Sequence, residues 1–428
     1  MTAVLGRKRS KEVYEGLCEV MPGGVSSPVR TCRAVLDVPM VAERGAGGVV
    51  YDVDGNGYID FCMSWGALIH GHAHPEVVEA AVARMREGSS FGITTEVEGK
   101  MARKIREALP SMEKIRFVSS GTEATMSAIR LARGFSGKEV LVKFSGNFHG
   151  HSDGLLVKAG SGVADLNVEG TSAGLLKETL KATAVLPYND EGAFEAFMKA
   201  HGERVAAIIV EPIAGNMGTV AAKKSFLEAL RRSEAVLIFD EVINGFRVAK
   251  GGAQALYGIR PDLTCLSKII GGGFPAGAFG GREEIMNLVA PLGQVYQAGT
   301  LSGNPVAMAA GVKTLELLEK PGFYEELERK TNLLTAPLRR FIEEKGLHAC
   351  VQQAGSMFTI FFGSKQVTSM EDAEKLNKGQ FKAFFCHLFE RGIYMPPLQI
   401  EAAFVSSAHS DEQLIRAREV CLEFLRTL

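Results

Sequence analysis

At 428 residues, 46% hydrophobic and 23% charged, the chain has apolar material for a large core and the composition of a globular enzyme. A formal net charge of −1 gives no electrostatic reason to expect nucleic acid or an anionic membrane surface as a partner. No apolar run approaches the roughly 18 residues that a membrane span needs. Arg7, Lys8 and Arg9 have no apolar run behind them, so no secretory signal is expected. The seven cysteines are odd in number and contain no C-x-x-C pair, which points to a reduced, cytoplasmic setting.

Helical spacing over 10–20 leads into a Pro/Gly/Ser loop at 22–28. Two strand-like runs, 48–53 and 58–61, flank Asp54-Gly55-Asn56-Gly57, a hairpin signal. Over 75–310 helical and strand patterns alternate, as in an α/β domain with a mostly parallel sheet. Strands are expected at 115–118, 140–144, 206–210, 236–239 and 263–266, and helices at 76–87, 96–109, 124–134, 226–232 and 305–318. The segment 152–183 is rich in small and polar residues without apolar periodicity; it reads as a lid or as a plain surface excursion. After Glu319 come long amphipathic helices, 324–345 and 411–428, around short strands such as 357–362. The expected division is 1–60 as an N-terminal segment of a small domain and rim of the site, 61–318 as a large domain, and 319–428 as the rest of the small α+β domain.

Four stretches imitate sites. Asp52-Val53-Asp54-Gly55-Asn56-Gly57 begins like a calcium loop, but Met63 stands where the bidentate glutamate belongs. His70-Gly71-His72-Ala73-His74 and His149-Gly150-His151 suggest metal ligands, yet no carboxylate or cysteine pattern accompanies them, and no metal is expected. Gly271-Gly272-Gly273 lacks the Gly-Lys-Ser/Thr of a nucleotide phosphate loop.

Four pieces converge on one chemistry. Lys268 lies between the apolar strand 263–266 and the three glycines, a setting that desolvates an amine and lets backbone approach a ligand closely. Asp240, followed by Glu241, ends the strand 236–239, at the carboxyl edge where open α/β sheets bind ligands. Ser119-Ser120-Gly121-Thr122 joins a strand to a helix and suits a phosphate, though Ser and Thr there are also ordinary helix caps. Phe148 offers an aromatic face for a ring, or a core side chain. A Schiff-base lysine and a carboxylate for a pyridinium nitrogen are the minimal apparatus for pyridoxal 5′-phosphate.

With these motifs the chain resembles the fold-type I pyridoxal phosphate enzymes, in their class III aminotransferase branch, and within it the glutamate-1-semialdehyde 2,1-aminomutases. Carrying that narrower likeness are Gly24-Val25-Ser26-Ser27-Pro28-Val29-Arg30, Ser64-Trp65-Gly66, Lys158-Ala159-Gly160-Ser161-Gly162, Gly215-Asn216-Met217-Gly218 and Gln297-Ala298-Gly299-Thr300-Leu301-Ser302-Gly303-Asn304-Pro305. The Asp240 and Lys268 motifs alone fit an ω-aminotransferase equally well.

The resemblance implies an amino exchange that converts glutamate 1-semialdehyde to 5-aminolevulinate by way of 4,5-diaminovalerate, for tetrapyrrole biosynthesis, with the cofactor passing through its pyridoxamine form. Lys268 and Asp240 would be catalytic. Ser120, Gly121, Thr122, Phe148, Asn216 and Val242 would hold the cofactor, with Thr300 reaching the cofactor of a partner in a homodimer. Ser27, Val29, Arg30, Trp65, Ser161 and Glu401 would meet the substrate, and 152–180 would be the gating loop. An upstream glutamyl-tRNA reductase would deliver the substrate. Phe148 stands where that family usually has tyrosine, and Asn244 where it has threonine.

Overall fold

All five expected strands lie in one sheet, and runs such as Val205–Val210 and Val236–Asp240 are buried along their whole length. The computed structural model describes residues 6–159 and 168–428. Among the described residues this sheet has seven strands, ordered Lys114–Val118, Gly277–Gly281, Leu263–Leu266, Val236–Asp240, Val205–Val210, Val140–Phe144, Thr183–Leu186. The last five run parallel, and Gly277–Gly281 runs antiparallel to both of its neighbours. Lys114–Val118 therefore points the same way as the parallel set, and the carboxyl ends of six strands share one edge. Ligands bind at that edge in open α/β sheets.

The helix Gly121–Ser136 shows how the sequence fixes this layer. The Ser120 hydroxyl accepts the Glu123 N–H at 3.2 Å, and the Glu123 carboxylate accepts the Ser120 N–H at 3.1 Å, a reciprocal cap. Gly137, at φ 68, ends the helix in the left-handed conformation. Between these ends Ala124, Ala128, Leu131 and Ala132 form one buried stripe against Leu141, Ile209, Ile238 and Leu263 of the sheet. Truncating Leu131 to alanine there costs about 2–5 kcal/mol.

The chain divides into two units. The larger comprises Glu76–Tyr324 with Thr368–Glu371, and the smaller comprises Met1–Pro75, Glu325–Val367 and Asp372–Leu428. The smaller unit is α+β. Ala42–Ala46, Val49–Asp52 and Gly57–Asp60 form an antiparallel set, which Ile393–Tyr394 from the far end of the chain extends in parallel. Ala349–Ala354, Met357–Phe362 and Ala403–Phe404 make a second antiparallel sheet. The hairpin carboxylates serve the backbone: Asp52 accepts the N–H groups of Asp54 and Asn56, and Asp54 accepts those of Arg9 and Ser10.

The described parts of 152–183, residues 152–159 and 168–183, hold more regular structure than their composition suggests. Asp153–Leu155 is a helical turn, Val157–Ala159 pairs antiparallel with Val168–Gly170, and Lys177–Leu180 forms another helical turn. Three-residue strands are too short to leave a periodic signal. Ser161, with 160–167, lies outside the described residues. Among the described residues no helix is long and apolar enough to cross a membrane.

Candidate active site

In the larger unit the carboxyl ends of the strands enclose a cavity of about 190 Å³, lined by Gly121, Thr122, Phe148, Asn216, Asp240, Val242 and Lys268 among others. Seven of the residues expected to bind cofactor therefore share one space. Ser120 also lines it, with its hydroxyl engaged in the helix cap. At the helix start, a Cβ on Gly121 would sit 3.2 Å from both Val242 methyls, so only glycine keeps that approach free. The first N–H groups of the helix lack intrahelical partners and form an anion-binding end, and the Thr122 hydroxyl lies 3.2 Å from His151 Nδ1 beside it.

Asp240 is 4% exposed. Its Oδ1 accepts the Val242 N–H at 3.0 Å, and its Oδ2 lies 2.7 Å from His149 Nδ1. Burial pushes the His149 pKa down while the bond to Asp240 pulls it back up. A neutral ring against a carboxylate must carry its proton on Nδ1 and donate it. The Asp240 carboxylate thus stays an acceptor, as a pyridinium N–H requires. Among the described residues the buried His149 Nε2 has no partner within hydrogen-bond reach.

Glu211, directly after the strand Val205–Val210, organises the opposite wall. Its Oε1 accepts the Phe148 N–H at 2.8 Å, its Oε2 accepts the Gly215 N–H at 3.0 Å, and the Asn216 side-chain amide donates to both oxygens at 3.1 Å. Burial, and then the charge of Asp240, push its pKa up to about 8. Phe148 keeps 52% of its surface exposed, a ring face free to stack rather than a core side chain. Sequence reasoning missed both His149 and Glu211. His149 was read only as a metal look-alike, whereas an acid immediately after an all-apolar strand was a signal for Glu211, the one that located Asp240.

Lys268 leaves the strand Leu263–Leu266 at φ 50, a left-handed conformation that non-glycine residues adopt only when their surroundings impose it. The Ser267 hydroxyl donates to the Ala276 carbonyl at 2.7 Å and pins the turn. Gly272 serves packing rather than approach to a ligand: a Cβ there would meet Thr314 Oγ1 at 2.7 Å and the Ala310 carbonyl at 2.8 Å. Glu241 does not join Asp240 in the cavity. It is buried, accepts the N–H groups of Ala253 and Gln254 at 2.7 and 3.0 Å, and is pushed up to about 7 by burial.

The smaller unit holds a second cavity, of about 440 Å³, lined by Arg30, Ser64, Trp65, Asp60, His72 and Tyr394 among others. Arg30 sits in the helical turn Pro28–Thr31, and its N–H donates to the Ser27 carbonyl at 3.1 Å. Ser26 lines the space, whereas the expected Ser27 and Val29 are not among its lining residues. Glu401 is half-buried near Cys62, whose thiol pKa is raised by burial first, then by the charge of Asp60, with a smaller contribution from Glu401. Met63, Ser64 and Trp65 run at φ 46, 52 and 59, three successive left-handed residues. Each costs roughly 1–2 kcal/mol relative to the right-handed form. Thr300, with both its neighbours, is exposed and lies outside either cavity.

The residues of the first cavity suit pyridoxal phosphate, and the second cavity presents the Arg30 guanidinium. The first supplies an anion cradle, a ring face, an acceptor for a pyridinium proton and an amine; the second supplies a guanidinium for a carboxylate. The chain belongs to the class-III aminotransferases, whose sequence profile matches residues 32–416. It is 54% identical over 428 residues to the glutamate-1-semialdehyde 2,1-aminomutase of Protochlamydia amoebophila, an alignment that covers 99% of both proteins. Among solved structures it resembles an omega-transaminase from Sphaerobacter thermophilus, with TM-score 0.89, 33% identity, and 97% of this chain and 98% of that one covered. A glutamate-1-semialdehyde-aminomutase from Pseudomonas aeruginosa PAO1 superposes with TM-score 0.86 at 25% identity, covering 98% of this chain and 94% of that one.

Proposed function

We propose that this chain converts glutamate 1-semialdehyde to 5-aminolevulinate, moving the amino group from C2 to C1 without an external amino donor, with pyridoxal 5′-phosphate as cofactor. The observation that carries the reading is the 54% identity to an aminomutase along the whole chain, which takes in the Lys268–Asp240 cavity and the Arg30–Trp65 cavity alike.

When bound, the cofactor supplies an electron-withdrawing ring that stabilises negative charge on the carbon bearing the substrate nitrogen. The chain supplies the rest. The helix start at Gly121 and Thr122 holds the phosphate. Asp240, oriented by His149, keeps the ring nitrogen protonated. Phe148, Val242 and Asn216, the last fixed by Glu211, would hold the ring. Lys268 would anchor the resting cofactor, and its free amine would carry a proton between the reacting carbons. Arg30 pairs with the substrate carboxylate, Trp65 covers it and Glu401 borders it. The segment 152–180 closes the site so that the diamine intermediate stays bound; its loss would leave the cofactor in the form that cannot begin another turnover.

The working assembly is a homodimer in which Thr300 reaches the partner's cofactor; exposure of Tyr296 at 71% and Leu301 at 57% beside it supports a covering partner. The substrate, a reactive amino aldehyde, is best received directly from a glutamyl-tRNA reductase. The free state of all seven cysteines suits the cytoplasm. A second reading, an ω-aminotransferase, is favoured by the TM-score of 0.89 to such an enzyme. Incubating the holoenzyme with glutamate 1-semialdehyde alone separates the two: 5-aminolevulinate without added donor supports the aminomutase, and a strict need for a donor and a keto acceptor overturns it.

A further inference from the structure

The cavity of the smaller unit contains an acid–imidazole pair, a buried Asp60 and a half-buried His72, with no part in the chemistry above. Asp60 ends the strand Gly57–Asp60 and is 4% exposed. Its Oδ1 accepts the N–H groups of Cys62 at 2.7 Å and Met63 at 3.1 Å, and its Oδ2 lies 2.8 Å from His72 Nε2. Both partners are held from outside. His409 Nε2 is 3.1 Å from the Asp60 carbonyl, and Gly47 and His72 exchange backbone hydrogen bonds at 2.9 and 2.8 Å. A Cβ on Gly45 would sit 2.5 Å from the His72 ring, so the imidazole is wedged into one orientation.

The pair gains its meaning from what it grips. The left-handed turn of Met63, Ser64 and Trp65 continues into Gly66 at φ 87, a conformation that L-residues do not hold unaided. Oδ1 of Asp60 binds the N–H of the first residue of that turn, and the turn brings Ser64 and Trp65 into the cavity that Arg30 lines.

We propose that Asp60 and His72 are positioning residues for substrate recognition: His72 fixes the Asp60 carboxylate, the carboxylate pins the start of the left-handed turn, and the turn presents the Trp65 indole beside Arg30. The proposal rests on the reading of this cavity as the place of the substrate carboxylate. Neither residue touches the reacting atoms, so the effect falls on substrate affinity and leaves the Lys268 chemistry intact.

The chain has a single tryptophan, so its fluorescence reports Trp65 alone. In the holoenzyme, His72→Leu should shift the Trp65 emission measured without substrate, and should raise KM about tenfold or more while kcat stays within about threefold. His72→Gln, whose amide can still reach Asp60, should restore most of both. The visible absorption of the cofactor should be unchanged in each. If His72→Leu does not fold, His72→Asn, whose amide is too short to reach Asp60, makes the same comparison with His72→Gln. Wild-type emission and KM in the variant lacking the bond would overturn the proposal, as would a fall in kcat at constant KM. Because the emission is read without substrate, it decides the positioning role even if the donor-free assay rejects the aminomutase reaction.

Discussion

The cavity around Lys268 and the cavity around Arg30 are organised by opposite means. The first is assembled at strand ends and held by buried polar side chains: Asp240 against His149, and Glu211 against three N–H donors. The second is assembled on short turns and held by backbone conformation, with three left-handed residues in succession and Asp60 gripping the first. Changes in the first should act on cofactor and chemistry and respond to pH. Changes in the second should act on substrate affinity. Strand ends are common to every enzyme on this sheet, whereas turns can be altered one at a time, which suits them to choosing the substrate.

Three substitutions sharpen that contrast, beginning with the largest effect. Lys268→Ala should abolish turnover, by about 10³-fold or more, with loss of the visible absorption of the lysine-bound cofactor. Retention of that absorption would give the anchoring role to another residue. Arg30→Leu should raise KM by roughly 10- to 100-fold through loss of a charge-assisted pair, with the cofactor spectrum unchanged. A lost spectrum with normal KM would reverse the division of labour between the cavities.

The smallest effect concerns Glu211, whose pKa is raised to about 8 chiefly by burial. The folded chain keeps a proton there that the unfolded chain releases near the ordinary carboxyl pKa. The stability this contributes is therefore full below about pH 4.5 and is lost as pH rises toward about 8. Between about pH 5 and about pH 8 the cofactor-free protein should lose stability relative to Glu211→Gln, by at most about 1.4 kcal/mol per pH unit. Thermal midpoints of both proteins across that range check the sign, and parallel pH dependence would show that Glu211 is ionised throughout.

The sequence revealed the first cavity far better than the second. An apolar strand followed by Asp240, Lys268 or a Ser-Gly-Thr helix start is a local pattern, and the fold places each of these ends on one edge. What was hidden is non-local. His149 meets Asp240 only because their strands converge, and its neighbour His151 made it look like a metal ligand. The strand Gly277–Gly281 gives no strand signal in sequence, because three of its five residues are glycine, a residue depleted in strands. They are there because it runs between two neighbours, and a Cβ on Gly280 would press on the Lys114 carbonyl at 2.5 Å. For the second cavity only the resemblance carried Arg30 and Trp65. No spacing rule foretells a left-handed turn of Met-Ser-Trp, so Asp60 went unseen and His72 reads from sequence only as a metal look-alike.

The central claim is that both cavities serve one reaction of one substrate. Its most direct test is to supply the dialysed holoenzyme with excess glutamate 1-semialdehyde, free of any other amine, and to count 5-aminolevulinate formed per bound cofactor. Continued formation over many equivalents is the predicted result. Formation that stops at or below one equivalent, and resumes only when an amino donor is added, would contradict it.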